Sequence, residues 1–342
     1  MSAYDDFQQS LDRALVRQGW LFGEKFNRIG NPFTWVDGDQ LPALKSTDGV
    51  AAVLQYLSMS GEIYDTPVDI RVADHDTILD DLTKRLTEIY SAFAPFLGPE
   101  FGFDRYIAST ASVKLQDYCA IRTWCEGLGR DPVHLDIGPG LGANALYSCH
   151  HLGASYIATD AYPSSLAVQR AFFRQVFGKG YLDIVDAENF GLSEPDIRAR
   201  LLESHWSVTL LPSWHLEMSP DDAVDLVSAT WVLNEVTPAG ICWLLHHIAR
   251  LVRQGGYVYL RDSERRKPLR HDLDYDKALL DLGFEKAGRL DIRNRIDMHG
   301  IPRVYRRTGQ VKPSFEDLFE THFGRFAITA HGANYAQDGS PS

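Results

Sequence analysis

The sequence predicts an α/β fold, a doubly wound, mostly parallel sheet behind an all-helical N-terminal extension. Three observations predict it. Val133-His-Leu-Asp-Ile137 is an apolar strand that runs into a glycine loop, Gly138-Pro-Gly-Leu-Gly142, and then into an apolar helix over residues 143–153. A second strand, Tyr156-Ile-Ala-Thr159, ends on Asp160, eighteen residues after Gly142. Two more buried strands, residues 223–229 and 256–260, flank a helix over residues 238–252. Strands alternating with helices through short links make a parallel sheet covered on both faces.

The elements follow in chain order. Residues 4–19 read as an amphipathic helix, with Phe7, Leu11, Leu15 and Val16 at helical spacing. Residues 27–44, rich in Gly, Pro, Asn and Asp, read as loop. A helix over 48–59 follows Thr47 as N-cap. Another over 76–96 puts Ile78, Leu79, Leu82, Leu86, Ile89 and Tyr90 on one face. Strand signals are sparse here, so residues 1–110 form a helical region. The helix leading into the first strand spans 113–128. After the second strand come helices over 163–177 and 194–204, and the third strand spans 206–211. Thr237 is the N-cap and Pro238 the first residue of the next helix, which Gly255-Gly256 closes. A final helix covers 314–323, and the polar residues 333–342 are expected to be disordered.

Composition narrows the function. The formal charge of -12 argues against a nucleic-acid partner, since a phosphate backbone demands a basic stripe. The run of Arg261, Arg265, Arg266, Lys267 and Arg270 reads first as solvated surface and second as a contact for an anionic substrate. The four cysteines, Cys119, Cys125, Cys149 and Cys242, show no Cys-x-x-Cys pairing, hence neither a zinc site nor a disulfide framework. The chain begins without a basic region followed by an apolar run, and no stretch is long enough to cross a bilayer. A cytoplasmic protein is expected.

The loop carries the chemistry. Gly138, Gly140 and Gly142 permit a tight turn and a close approach of backbone to ligand. Their Gly-x-Gly-x-Gly spacing, with Asp136 two residues ahead, departs from the Gly-x-Gly-x-x-Gly of dinucleotide loops. A carboxylate at the end of the second strand, here Asp160, is placed to accept both ribose hydroxyls of an adenosine ligand, or else to cap a helix.

This combination resembles the Rossmann-like class of S-adenosylmethionine-dependent methyltransferases, over about residues 115–308. The matching pieces are Leu135-Asp-Ile-Gly-Pro-Gly-Leu-Gly142, Ile157-Ala-Thr-Asp160, Val224-Asp-Leu-Val227 and Leu251-Val-Arg-Gln-Gly-Gly-Tyr-Val-Tyr-Leu260. Leu279-Leu-Asp-Leu-Gly-Phe284 resembles the last helix before that class's terminal antiparallel hairpin, with Leu290-Asp-Ile-Arg and Arg303-Val-Tyr-Arg as its strands. The resemblance implies seven strands, a catalytic domain over 111–310 and a C-terminal segment over 311–342. It also implies S-adenosyl-L-methionine as cofactor, and a lid or homodimerisation arm in the N-terminal helices. Ser228-Ala-Thr-Trp-Val-Leu-Asn-Glu-Val236 is similar to a segment of sugar O-methyltransferases, where an acid follows the fourth strand.

On that resemblance Asp136, Gly138, Gly140 and Gly142 hold the methionine half of the cofactor. Asp160, Ala161 and Tyr162 hold the ribose and one face of the adenine. The class often reads the adenine amino group with a polar or acidic residue after the third strand, where this chain has Ser213 and Trp214. Trp214 either stacks on the purine or packs, and Thr230, at the end of the fourth strand, completes the cofactor set. Glu235 accepts a proton from an acceptor hydroxyl, or binds magnesium together with Asp262, unless it merely sits well at a helix start. His215 and His271 are rim histidines, each a substitute base or plain surface. The expected reaction is methyl transfer to a hydroxyl of a small, sugar-like molecule. N- or C-methylation, a non-catalytic cofactor-binding scaffold and a nicotinamide-dependent oxidoreductase are the alternatives.

Overall fold

The computed structural model describes residues 3–18, 70–91, 102–129, 131–161, 163–189, 193–201, 203, 206–233, 238–262, 274–289, 301–309, 311–314, 317–318 and 320–322. In chain order these give α1 (Ala3–Gln18), α2 (His75–Ser91), α3 (Phe103–Trp124), β1 (Val133–Ile137), α4 (Asn144–His150) and β2 (Ser155–Thr159). Next come α5 (Pro163–Phe177), β3 (Tyr181–Asp183), α6 (Ile184–Asn189), α7 (Glu194–Leu201) and β4 (Val208–Leu210). The remainder is a 3-10 helix (Ser213–Met218), β5 (Val224–Thr230), α8 (Pro238–Leu251), β6 (Val252–Asp262), α9 (Tyr275–Asp281), β7 (Phe284–Arg289) and β8 (Ile301–Arg307). The predicted helix at 48–59, the loop at 27–44 and the tail at 333–342 lie outside the described residues.

The chain divides into two compact units, Met1–Gln8 with Asp39–Pro212 and Gln9–Gly38 with Ser213–Ser342. In the first, the strands run parallel in the order β3-β4-β2-β1. In the second, β5 and β6 are parallel, and β8 pairs antiparallel with both β6 and β7. The fold is therefore α/β, mostly parallel with an antiparallel end. It has eight strands among the described residues rather than seven. The additional strand, Tyr181-Leu-Asp183, is too short for its alternation to be read. All seven residues of β5 are buried, as expected of a strand covered on both faces.

Two predictions need correction. The hairpin starts earlier than expected: its first strand is Phe284–Arg289, directly behind Gly283, whose φ of +82 makes the turn. Residues 290–293, predicted as that strand, lie outside the described residues. The pair Gly255-Gly256 does not close a helix either. Leu251 ends α8 and β6 begins at once with Val252, so both glycines lie inside the strand, where its register with β5 slips between Val224 and Leu226. Gly255 is left-handed at φ +79, and a Cβ on Gly256 would come within 2.9 Å of the Arg253 and Asp225 carbonyls. The glycines mark a bulge.

Helices α2 and α3 pack against each other within the first unit. In α2, Ile78, Leu82, Leu86, Ile89 and Tyr90 are buried at the predicted spacing. The Tyr90 ring stands edge-on to Tyr106 at 5.6 Å and tilts against Phe172 at 6.2 Å. The Asp81 carboxylate accepts from Arg85 Nε at 2.8 Å and pairs with His151 Nε2 at 2.9 Å, linking α2 to the residue after α4. α3 starts at Phe103, so it runs through the expected domain boundary at residue 110. Among the described residues, no helix is long and apolar enough to cross a membrane.

Candidate functional site

The loop after β1 is built by three left-handed glycines, Gly138 at φ +62, Gly140 at +61 and Gly142 at +81. The Gly138 amide donates to the Thr159 carbonyl at 2.8 Å, tying the loop's start to the end of β2. Gly142 N–H then donates to the Pro139 carbonyl at 3.0 Å and closes the turn. Gly140 and Gly142 answer different needs. Among the described residues, a Cβ at Gly140 would meet nothing within 4 Å, so they leave this position open. A Cβ at Gly142 would lie 2.6 Å from the Phe173 ring, so packing against α5 also requires glycine there. The helix after the loop is also shorter than predicted, Asn144–His150.

Asp136 is fully buried. Its Oδ2 accepts from Asn144 Nδ2 and from the Tyr156 hydroxyl, both at 2.6 Å. Burial, and then the Asp136 charge, push the Tyr156 hydroxyl far above its usual range, so it remains a donor. The acid thereby fastens the loop between β1, β2 and α4.

Asp160 lies at the end of β2, buried at 3% exposure, and its Oδ2 accepts from Gln169 Nε2 at 3.2 Å. The same nitrogen donates to the Gly140 carbonyl at 2.7 Å. Gln169 thus straps the second glycine to the predicted ribose acceptor. Ala161, half-buried, follows it, and Tyr162 lies outside the described residues. Helix α5, which carries Gln169, is held by Arg170. That guanidinium donates to Asp183 at 2.6 Å and to Asp6 at 2.8 Å, and covers the Phe7 ring at 4.1 Å. Among the described residues, three polar atoms around the loop are buried without a hydrogen-bond partner, namely Thr159 Oγ1, Asn144 Oδ1 and Gln169 Oε1. Open space at Gly140, beside buried acceptors that lack donors, fits the ribose hydroxyls and ammonium group of S-adenosylmethionine.

In the second unit the predicted adenine-side residues sit differently. Trp214 and His215 are interior, each 1% exposed, rather than in a rim. Trp214 Nε1 donates to Ser10 Oγ at 3.0 Å, and His215 Nε2 shares that hydroxyl at 3.2 Å. Both side chains are thus anchored in the interior, and His215 is not a surface group. Arg250 secures this 3-10 helix by donating to the Leu216 carbonyl at 2.8 Å. Ser213 is buried with an unpartnered hydroxyl. Thr230 ends β5, paired in register with Arg261.

Asp262 ends β6, fully buried, with its carboxyl pushed up to about 7 by burial, against the pull of Arg303 and Arg261. Next to β5, Trp231 adopts φ +60, with its amide donating to the Arg261 carbonyl at 3.0 Å. A non-glycine residue held left-handed stores on the order of 1–3 kcal/mol of strain. Sequence reasoning passed over Trp231, whose backbone nothing local dictates. Glu235, Asn234 and His271 lie outside the described residues. Of the two acids expected to hold magnesium, only Asp262 is described, and no group of three or more His, Cys, Asp or Glu converges among the described residues.

No family model matches this chain, and no curated protein does either. Solved structures do resemble it. A magnesium protoporphyrin IX methyltransferase from Synechocystis PCC 6803, with S-adenosylmethionine bound, is 15% identical over 70% of this chain and 100% of its own, with TM-score 0.42. The 1,6-didemethyltoxoflavin-N1-methyltransferase of Burkholderia thailandensis, with S-adenosylhomocysteine bound, is 17% identical over 71% of this chain and 95% of its own, with TM-score 0.40. For a candidate sarcosine dimethylglycine methyltransferase from Galdieria sulphuraria the values are 16% identity and TM-score 0.38, over 54% of this chain. This chain spans 64% of that protein's length, just under two thirds. These three similar structures are methyltransferases, at 15–17% identity to this chain.

Proposed function

We propose that this chain is an S-adenosylmethionine-dependent methyltransferase acting on a hydroxyl of a small polar metabolite, a sugar or sugar-like compound. The observation that carries the cofactor half is the left-handed glycine turn open at Gly140 and strapped by Gln169 to Asp160. When bound, S-adenosylmethionine supplies a methyl group made electrophilic by its sulfonium. The chain's own task is to align the acceptor oxygen with that methyl and to take its proton. The new bond is carbon to oxygen, the broken one carbon to sulfur, and the hydroxyl proton passes to a base. Asp160 accepts the ribose hydroxyls, and the loop backbone lies against the methionine half. Glu235, which follows β5, is the proton acceptor on the strength of the resemblance. His271 is its substitute, whereas His215, held by Ser10, is left out.

Titration calorimetry with S-adenosylmethionine, S-adenosylhomocysteine and NAD tests the cofactor, and tight binding of NAD alone would replace the reading with that of an oxidoreductase. Turnover of Glu235→Gln, with and without a chelator, tests the base. Loss of at least 100-fold without chelator sensitivity in the parent enzyme is expected. An unaffected Glu235→Gln enzyme moves the proton to His271. The helical region before residue 110 is proposed to pair two copies of the chain, which light scattering of the intact protein checks.

A further inference from the structure

Gln169 carries the strongest unassigned signal in the described residues. It is fully buried on α5. Its Nε2 faces two groups that only accept, the Gly140 carbonyl at 2.7 Å and the Asp160 carboxylate at 3.2 Å. Two hydrogens on one nitrogen meet two acceptors, so the amide has a single sensible orientation. A flipped amide would set its oxygen against both of them. Oε1 is consequently left as a buried acceptor with no hydrogen-bond partner. Buried acceptors are almost always satisfied, and one that is not points to a donor from outside the chain. The rigidity of the arrangement agrees with this. Arg170, the next residue, is locked to Asp183 at 2.6 Å, and Phe173, one turn on, fills the space that glycine leaves at 142.

We propose that Gln169 contacts the ligand directly, with Oε1 accepting a hydrogen bond from a ribose hydroxyl while Nε2 holds Gly140 and Asp160 in place. The ribose diol is then shared between two acceptors, the Asp160 carboxylate and the Gln169 amide oxygen. The ligand class follows from the chemistry: a nucleoside whose sugar keeps both hydroxyls. This inference rests on the cofactor assignment proposed above.

The test is a cycle between protein and ligand. Calorimetry is run with S-adenosylhomocysteine and with its 2′-deoxy and 3′-deoxy ribose forms, on the parent protein and on Gln169→Met. Methionine keeps the length and apolar stem but removes donor and acceptor. In the parent, each missing hydroxyl is expected to weaken binding about tenfold, the effect of losing one hydrogen bond to a buried group. In Gln169→Met, S-adenosylhomocysteine should bind about tenfold more weakly or worse. One of the two deoxy penalties should vanish, because its acceptor is gone. A purely structural Gln169 would lower affinity and leave both penalties intact, and that result overturns the contact. Unchanged affinity for S-adenosylhomocysteine overturns it as well. If Gln169→Met does not fold, Gln169→Asn, which keeps the amide but draws it back, carries the same comparison. A parent protein that takes up no S-adenosylhomocysteine refutes the cofactor assignment itself, a result distinct from either failure of the contact.

Discussion

Gly140 and Gly142 share one backbone conformation and have different reasons to be glycine. At φ +61 and +81, any other residue carries the left-handed cost of about 1–2 kcal/mol. Gly142 carries a second one, since its Cβ would enter the Phe173 ring at 2.6 Å. Overpacking of that kind adds about 1–3 kcal/mol. Gly142→Ala should therefore be the less stable of the two alanine variants in urea unfolding, although Gly140→Ala should lose more affinity for S-adenosylhomocysteine. Equal stabilities would show that the ring yields freely. The glycines and Asp160 were legible in the sequence because conformational freedom and charge belong to the residue itself. Gln169 was not, because its role lies in two partners 29 and 9 positions away.

At the scale of elements, α2 illustrates how far periodicity reaches. Its apolar spacing was plain, and five of the six residues of the predicted face are buried, Leu79 being half-buried. The helix is described as far as Ser91, and the expected residues 92–96 lie outside the described residues. Leu82, fully buried at the middle of that face, should cost about 2–5 kcal/mol when cut to alanine, read by chemical denaturation. A loss below 1 kcal/mol would mean that α2 is only loosely attached. The 3-10 helix at Ser213–Met218 makes the opposite point. Its Trp and His suggested a ligand rim, but Ser10, about two hundred positions away, takes both ring nitrogens. The Gly255-Gly256 pair was misread for a similar reason. A bulge and a helix stop both need glycine, and only strand pairing tells them apart.

At the scale of the molecule, a buried histidine sets the acid limit of the fold. His134 sits inside β1, with Nδ1 2.6 Å from Ser148 Oγ and no exposure. Burial pushes it down to about 3, with the nearby Asp117 charge pulling the other way. A group whose pKa is lower in the folded state binds its proton in the unfolded chain first. Its contribution is complete above the unfolded value near 6.5 and falls away as pH drops from there toward 3. The loss between pH 6.5 and 3 is on the order of 5 kcal/mol, at about 1.4 kcal/mol per pH unit. His134→Gln should flatten this part of the stability-against-pH curve. An unaltered slope between pH 6.5 and 4 would show that His134 is not the group responsible. His247, also buried, is pushed down by burial and then by Arg250, and works in the same direction.

The sequence by itself determined the α/β class, the strand–loop–helix unit at Val133 to His150 and the acid that ends β2. These are local properties: apolar runs, glycine at left-handed positions, a carboxylate at a strand end. The tertiary structure alone decided the rest. It placed β3 beside β4, turned Trp214 and His215 inward, gave Asp136 its two donors and brought Gln169 between Gly140 and Asp160. Each of these depends on partners far apart in the chain, and hydrogen bonds and close packing are satisfied in space, with no regard to sequence distance.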